Sequence, residues 1–409
     1  MVNLIDDMGD YQVDFVVANN NPTQTLNIHL NPGVNMIRVP MVNNSALLDF
    51  VKYDLENQHR EEQPQTTIVH NPEVEFQESE PEHILDWLRN QEYSFGMAEF
   101  GHLTSAFAVF HELGIEKTVG ISTTPLLPAF YHFLGLQIPV NVPEHFSAQS
   151  GDANRNSRVR VGNSSRNLKE YEDTIEKFVK IYDKDYRHYY KWAKITFRLK
   201  KMVSLSSLLH NVQYVFVNHH PLTAFPKPFS PKIKFIGGIQ LEIRGKYEQK
   251  ITDYNTMEQL ILWNKTDETG IKFSKLIHDS KLHVEDLLQA LYAGVPMICI
   301  PFIGDQKYNA SIVEYLGVGL WNRHPEFGAT FPNQLHQLLE ANNPYMHRAV
   351  EVADAIRSGS SHYRHFNVFR DTINAVVNDD ASINTKGFSV KKPRFVANAI
   401  PDFQATTEF

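Results

Sequence analysis

The sequence predicts a parallel α/β fold in two units. Short apolar runs rich in β-branched and aromatic residues alternate with amphipathic helical stretches along most of the chain. Glycines stop several helices just before an apolar run, as at Gly114 and Gly294. A proline-rich stretch, with Pro221, Pro226, Pro228 and Pro231, interrupts the alternation and marks a stiff connector.

The elements follow in order. "MVNLIDDM" gives one or two helical turns, and "YQVDFVVA" a buried strand that ends in the turn at Asn21-Pro22. "NMIRVPM" is a second strand. Residues 54–83, rich in Glu, Gln and Pro, read as a surface excursion. A helix carrying Ile84, Leu85 and Leu88 precedes a strand ending near Glu99; the helix "HLTSAFAVFHELGI" and the strand "KTVGIST" come next. Residues 147–168 form a polar loop. The helical stretch from Glu170 to Val203 mixes aromatic residues with Lys and Arg, a pattern that suits either a membrane surface or packing on the first unit. Two more strands, "NVQYVFV" and the run closing on Gly237-Gly238, flank the proline connector. Helices are expected at 287–293, 308–316 and near 344–356. The expected division is 1–225, a connector at 226–238, a second α/β unit at 239–378, and a disordered tail at 379–409.

Composition narrows the function. The 409 residues carry 39 basic and 47 acidic side chains, net −8, with no basic patch, which argues against a nucleic-acid binder. The one cysteine, Cys299, lies in the apolar run "VPMICIP" and reads as a buried core thiol; a single cysteine allows no disulfide within the chain. No metal-ligand spacing is present. The first residues lack a signal peptide's basic start and apolar centre, and no apolar run reaches about 18 residues, so the chain as written is expected to be soluble.

Three segments carry a resemblance: "GVPMICIPFIGDQKYNASIVEYLGVGLW" (294–321), "YVFVNHHPLTAFPKPFSPKIKFIGGI" (214–239) and "YSFGMAEFGHLTSAFAVFHELGI" (93–115). Together they resemble the UDP-glycosyltransferases, in particular the invertebrate-like members of the animal UDP-glucuronosyltransferase branch. The resemblance implies a GT-B-like fold, two Rossmann-like parallel-sheet domains facing a cleft, with the first taking the acceptor and the second, here shortened, the donor. It implies transfer of glucuronic acid or a related hexose from a UDP-sugar co-substrate to a small lipophilic acceptor, without a metal cofactor. It also implies an endoplasmic-reticulum membrane protein with a signal peptide and a membrane anchor, neither of which this chain shows.

The resemblance places four site residues. Glu99 falls where an acidic residue orients the family's base histidine; an exposed strand-end or capping glutamate is the plainer reading. The histidine itself is expected before Met1. His102, close to Glu99, is an alternative base but reads more readily as a helix-face residue. Asp305, Gln306 and Asn309 fall where the family holds the donor sugar. A carboxylate accepts from two vicinal hydroxyls, while an amide both donates and accepts; Asp305 also suits a helix cap.

The family's glycine-rich diphosphate loop should precede the helix at 287, yet the residues there are "HDSKLHVED". Leu282 and His283 stand where glycines would admit a phosphate close to the backbone. Glu285 would repel a phosphate charge by about 3 kcal/mol at ~5 Å and an effective dielectric of ~20, and so would Asp286, which otherwise makes a good helix N-cap. Only 43 positions separate Gly238 from Lys281, too few for the strand-helix units the family has there. These departures predict a weak or inactive transferase. The alternative is a catalytically inactive member that binds a small lipophile or pairs with active relatives, and an internal deletion or an error in the gene model accounts equally for the gap.

Overall fold

A computed structural model describes residues 2–9, 11–19, 30–40, 73–74, 82–101, 106–123, 125–137, 140, 142–144, 148–152, 165–180, 198–223, 225, 230–239, 284–301, 306–323, 327–340, 343–360, 365–378 and 394–399. Within them, α1 (Val2–Asp7), β1 (Gln12–Asn19) and β2 (Val34–Pro40) open the chain, followed by the short antiparallel pair β3 (Glu73–Val74) and β4 (Glu82–His83). Then come α2 (Ile84–Arg89), β5 (Tyr93–Glu99), α3 (Ala106–Leu113), β6 (Thr118–Ser122) and α4 (Phe130–Phe133). Helix α5 spans 165–180, ahead of α6 (Leu205–His210), β7 (Tyr214–Val217) and β8 (Ile233–Phe235).

The second half holds α7 (Val284–Ala293), β9 (Met297–Cys299), α8 (Gln306–Leu316), β10 (Gly319–Trp321), α9 (Phe327–Leu339), α10 (Pro344–Ser360) and α11 (His365–Asn378), and β11 (Arg394–Ala399) follows. A seven-stranded sheet has the order β2-β1-β11-β5-β6-β7-β8, and β9 pairs with β10 in a small second sheet. Every pairing in these two sheets is parallel. The parallel α/β class read from the sequence is what the chain adopts.

Period-two patterning explains how the large sheet is covered on both faces. Val13, Phe15 and Val17 of β1, Phe95 and Met97 of β5, and Phe216 of β7 point to one face, where α1 and α11 supply Leu4, Ile5, Phe369 and Ile373. Val16, Ala98, Val215 and Val217 point to the other, where α2, α3, α4 and α6 pack. Ile175, Phe178 and Val179 of α5 also lie against this second core, so the aromatic stripe on 165–180 is a packing face; residues 181–197 of the predicted helix lie outside the described residues. A sheet buried on both sides is the usual state of parallel strands.

Two buried carboxylates inside this body are held by donors from neighbouring elements. Asp14, 1% exposed in the middle of β1, accepts hydrogen bonds from Tyr93 Oη and Asn35 Nδ2, both at 2.9 Å. Glu112 of α3 accepts from Arg89 Nη2 at 2.7 Å and from the Lys200 amide at 2.8 Å. A carboxylate this buried depends on both donors.

Two expectations change. The tail 379–409 is not wholly without structure, because Arg394–Ala399 forms β11 inside the large sheet. Its six residues have no distinctive local pattern, and only pairing with distant strands makes them a strand. Helix α7 starts at Val284 rather than at 287, so Asp286 lies within the first turn and is not the N-cap. Most of the 54–83 excursion, the 239–283 interval apart from Ile239, and the ends of the tail fall outside the described residues.

The core beside the small β9-β10 sheet is not closed by the residues beyond 283 alone. Leu287, Leu291, Tyr308, Ile312, Val313, Val318 and Ala349 cluster there with Val142, Ala148 and Phe225, which come from earlier in the chain. Phe225 packs its ring against Tyr308 at 5.6 Å and Tyr315 at 5.0 Å. Cys299 sits in this core, 4% exposed, with its thiol pushed up to about 12, first by burial and then by Glu314. The native protein at pH 8 should therefore resist alkylation by iodoacetamide, and the unfolded chain should react; rapid labelling of the folded protein would contradict this placement.

Candidate functional site

Glu99 closes β5 at the carboxyl edge of the large sheet, in register with Ile121 of β6, and is partly exposed. This edge of a parallel sheet is where ligands are held in open α/β folds. Its carboxylate turns back over the following chain: a Cβ at Gly101 would collide with Glu99 Oε1. Gly101 therefore permits this side-chain position, a signal present in "AEFG" that strand patterning does not use. His102 lies outside the described residues.

In the second half, Gln306 is the first residue of α8 and is partly exposed. Asn309, three residues on and so on the same side of the helix, is 2% exposed. Asp305 and His283 lie outside the described residues. Glu99 and the pair Gln306 and Asn309 thus stand on different sheets' flanks, the first on the large sheet, the others on the helix beside β9 and β10. Helix α8 is buried nearly all round, from Tyr308 through Val313, so Asn309 joins a packed helix and Gln306 is the residue of the pair that meets solvent.

Several features of this region were not evident from sequence. Loop 148–152 fastens to α8, with Ser150 Oγ donating to Glu314 Oε1 at 2.8 Å and the Gly151 amide donating to Oε2 at 2.9 Å. Burial raises the Glu314 carboxyl above its ordinary value, while these two donors pull it back. Asp152 holds Arg166 of α5 at 2.6 Å, so one short loop joins α5 to the helix that carries Gln306. Behind it, Tyr308 is fully buried, and burial raises its hydroxyl far above the ordinary phenol range, with the neighbouring Tyr131, Tyr171 and Glu144 adding to this. Tyr171 Oη donates to the Val142 carbonyl. Nothing in the local spacing of these residues announces the cluster, which exists only through tertiary packing.

The phosphate-facing question turns on α7. Its first turn holds Glu285 and Asp286, and the turn that precedes β9 at its other end is made by Gly294, φ 70°. The amino end of a helix favours an anion, but here the chain supplies its own acidic residues at that end. Among the described residues no group of three or more His, Cys, Asp or Glu side chains is placed to hold a metal ion. No helix among them is long and apolar enough to cross a membrane.

Comparison with known proteins bears on this segment. Residues 283–341 match the family model described as UDP-glucoronosyl and UDP-glucosyl transferase. Two solved structures are similar over most of the chain at low identity. One is the glycotransferase of kitacinnamycin, 12% identical, covering 89% of this chain and 98% of that one, with a TM-score of 0.43. The other is a UDP-glucosyltransferase from Polygonum tinctorium capable of glucosylating indoxyl, in complex with 3,4-dichloroaniline; it is 12% identical, covers 90% of this chain and 98% of that one, and has a TM-score of 0.42. No curated protein sequence matches the chain. The residues that match this family model run from α7 through α9 and include Gln306 and Asn309.

Proposed function

We propose that the chain is a UDP-glycosyltransferase-family protein of the animal glucuronosyltransferase kind, derived from enzymes that move glucuronic acid or a related hexose from UDP to a small lipophilic acceptor. Asp305, Gln306 and Asn309 hold the donor sugar, and Glu99 is the acidic half of the acid-base pair. The family match across 283–341 carries this reading.

We further propose that this chain transfers sugar weakly or not at all. An inverting transfer needs the departing diphosphate to be stabilised. The helix start that would do this holds Glu285 and Asp286, with no glycine from His278 to Asp286. The second reading, an inactive member that binds a small lipophile or pairs with active relatives, rests on the same acidic turn.

Transfer itself is the test. The protein, incubated with labelled UDP-glucuronic acid or UDP-glucose and a panel of phenols, should give no glycoside above the protein-free reaction. Product formation at an ordinary enzymatic rate of about 1 per second or more would refute the weak-activity reading and leave the family assignment standing.

A further inference from the structure

Six strands of the large sheet come from the first 235 residues, and the seventh, β11, comes from the carboxyl end of the chain and lies in the middle. It is paired on both sides. Residues Arg394 to Ala399 register with Gln12 to Val17 of β1, and Phe395 to Asn398 register with Phe95 to Ala98 of β5. Without β11 the sheet falls into two pieces, β2-β1 and β5-β6-β7-β8. Adjacent strands lie about 4.8 Å apart, so an empty slot would hold β1 and β5 about 9.6 Å apart, beyond hydrogen-bond reach. Each would then present a row of unpaired N–H and C=O groups beside Val13, Val17, Phe95 and Met97, all 1% exposed or less.

The chain's route explains why its own segment fills the slot. Helix α11 begins at His365, whose ring lies 6.0 Å from that of His220, just past the carboxyl end of β7. It ends at the opposite edge, where Tyr11 Oη donates to Asn374 Oδ1 at 2.9 Å and Lys117 Nζ donates to the Val377 carbonyl at 3.1 Å. Tyr11 and Lys117 directly precede β1 and β6. Arg394, partnered with Gln12 and with Tyr93, starts β11 at that same edge. Residues 379–393 therefore join two points on one edge of the sheet, a connection well inside the ~50 Å that such a length spans when extended.

We infer that α11 and β11 form a clasp: the carboxyl-terminal strand of the chain is bound, through its backbone, in a parallel slot of the amino-terminal sheet and holds the two pieces of that sheet together. The slot is a strand-binding site of the kind that takes an extended peptide by main-chain hydrogen bonds, and its occupant is the same molecule's own carboxyl end.

Hydrogen exchange on the full chain tests this directly. Amides of 394–399 should exchange within about tenfold of those of 93–99; exchange at the rate of an unprotected amide would overturn the inference. In a paired set of variants, Val396→Pro removes one ladder donor in the strand's middle, whereas Thr406→Pro lies beyond it. V396P should melt several degrees below T406P and the unaltered protein, and equal melting temperatures would overturn the clasp. If V396P does not fold, the exchange experiment on the unaltered protein decides. Melting should also be independent of protein concentration; a melting temperature that rises with concentration would place the strand in a second copy and overturn the same-chain assignment.

Discussion

Replacing Phe225 with alanine should lower stability by about 3–5 kcal/mol, the usual cost of deleting a buried aromatic ring. Phe225 is 5% exposed and belongs to the stretch between β7 and β8, yet it packs on Tyr308 and Tyr315 of α8. With Val142 and Ala148 it fills a core whose other members come from beyond residue 283. Urea unfolding should show the loss as a lower midpoint at unchanged slope, and Phe225→Leu should lose much less because most of the volume stays. If the residues beyond 283 closed this core unaided, Phe225→Ala would cost under about 1 kcal/mol, as a surface change does.

Acid should destabilise the protein through His220. This ring is 5% exposed and accepts a hydrogen bond from the Leu222 amide on Nδ1 at 3.2 Å, so it sits in the fold as the neutral, Nε2-protonated form. Burial lowers its pKa from 6.5 to about 4, and the neighbouring His365 adds to the shift. Between pH 6.5 and 4 the unfolded chain therefore binds a proton that the folded chain refuses, and stability falls as pH drops through that window. The loss reaches about 3 kcal/mol near pH 4, from 1.36 kcal/mol per unit. Unfolding measured at several pH values should show this slope, and His220→Gln should flatten it. A variant with the same slope would place the acid sensitivity elsewhere.

Much of the large sheet is legible in the sequence because each strand carries its own evidence. Val13, Phe15 and Val17 alternate with residues of the other face, and Gly114 and Gly294, both at positive φ, stop their helices as their positions suggest. Helix α8 shows where patterning fails. Six consecutive residues, Tyr308 to Val313, are buried, so no polar face distinguishes Asn309 as a ligand residue from Asn309 as packing. Helix α9 has Pro332 in its middle and no buried residue, which hides it from a search for an apolar stripe. The strand β11 is the extreme case, since its partners lie about 300 to 380 residues away and only loop closure across the whole chain brings them together. The family pattern at 294–321 was legible and falls within the matched residues 283–341; the fastening of α8 by Ser150 and Gly151, and the turn of Glu99 over Gly101, are tertiary facts.

The proposal at the centre is that a segment matching a UDP-glycosyltransferase family model has lost its hold on diphosphate while keeping the helix proposed to read the sugar. Calorimetric titration of the full chain with UDP tests it most directly. Glu285 and Asp286 in the first turn of α7 predict no binding tighter than about 1 mM. A saturable isotherm with a micromolar Kd would contradict the account, because it would mean that a phosphate finds its donors despite the acidic turn.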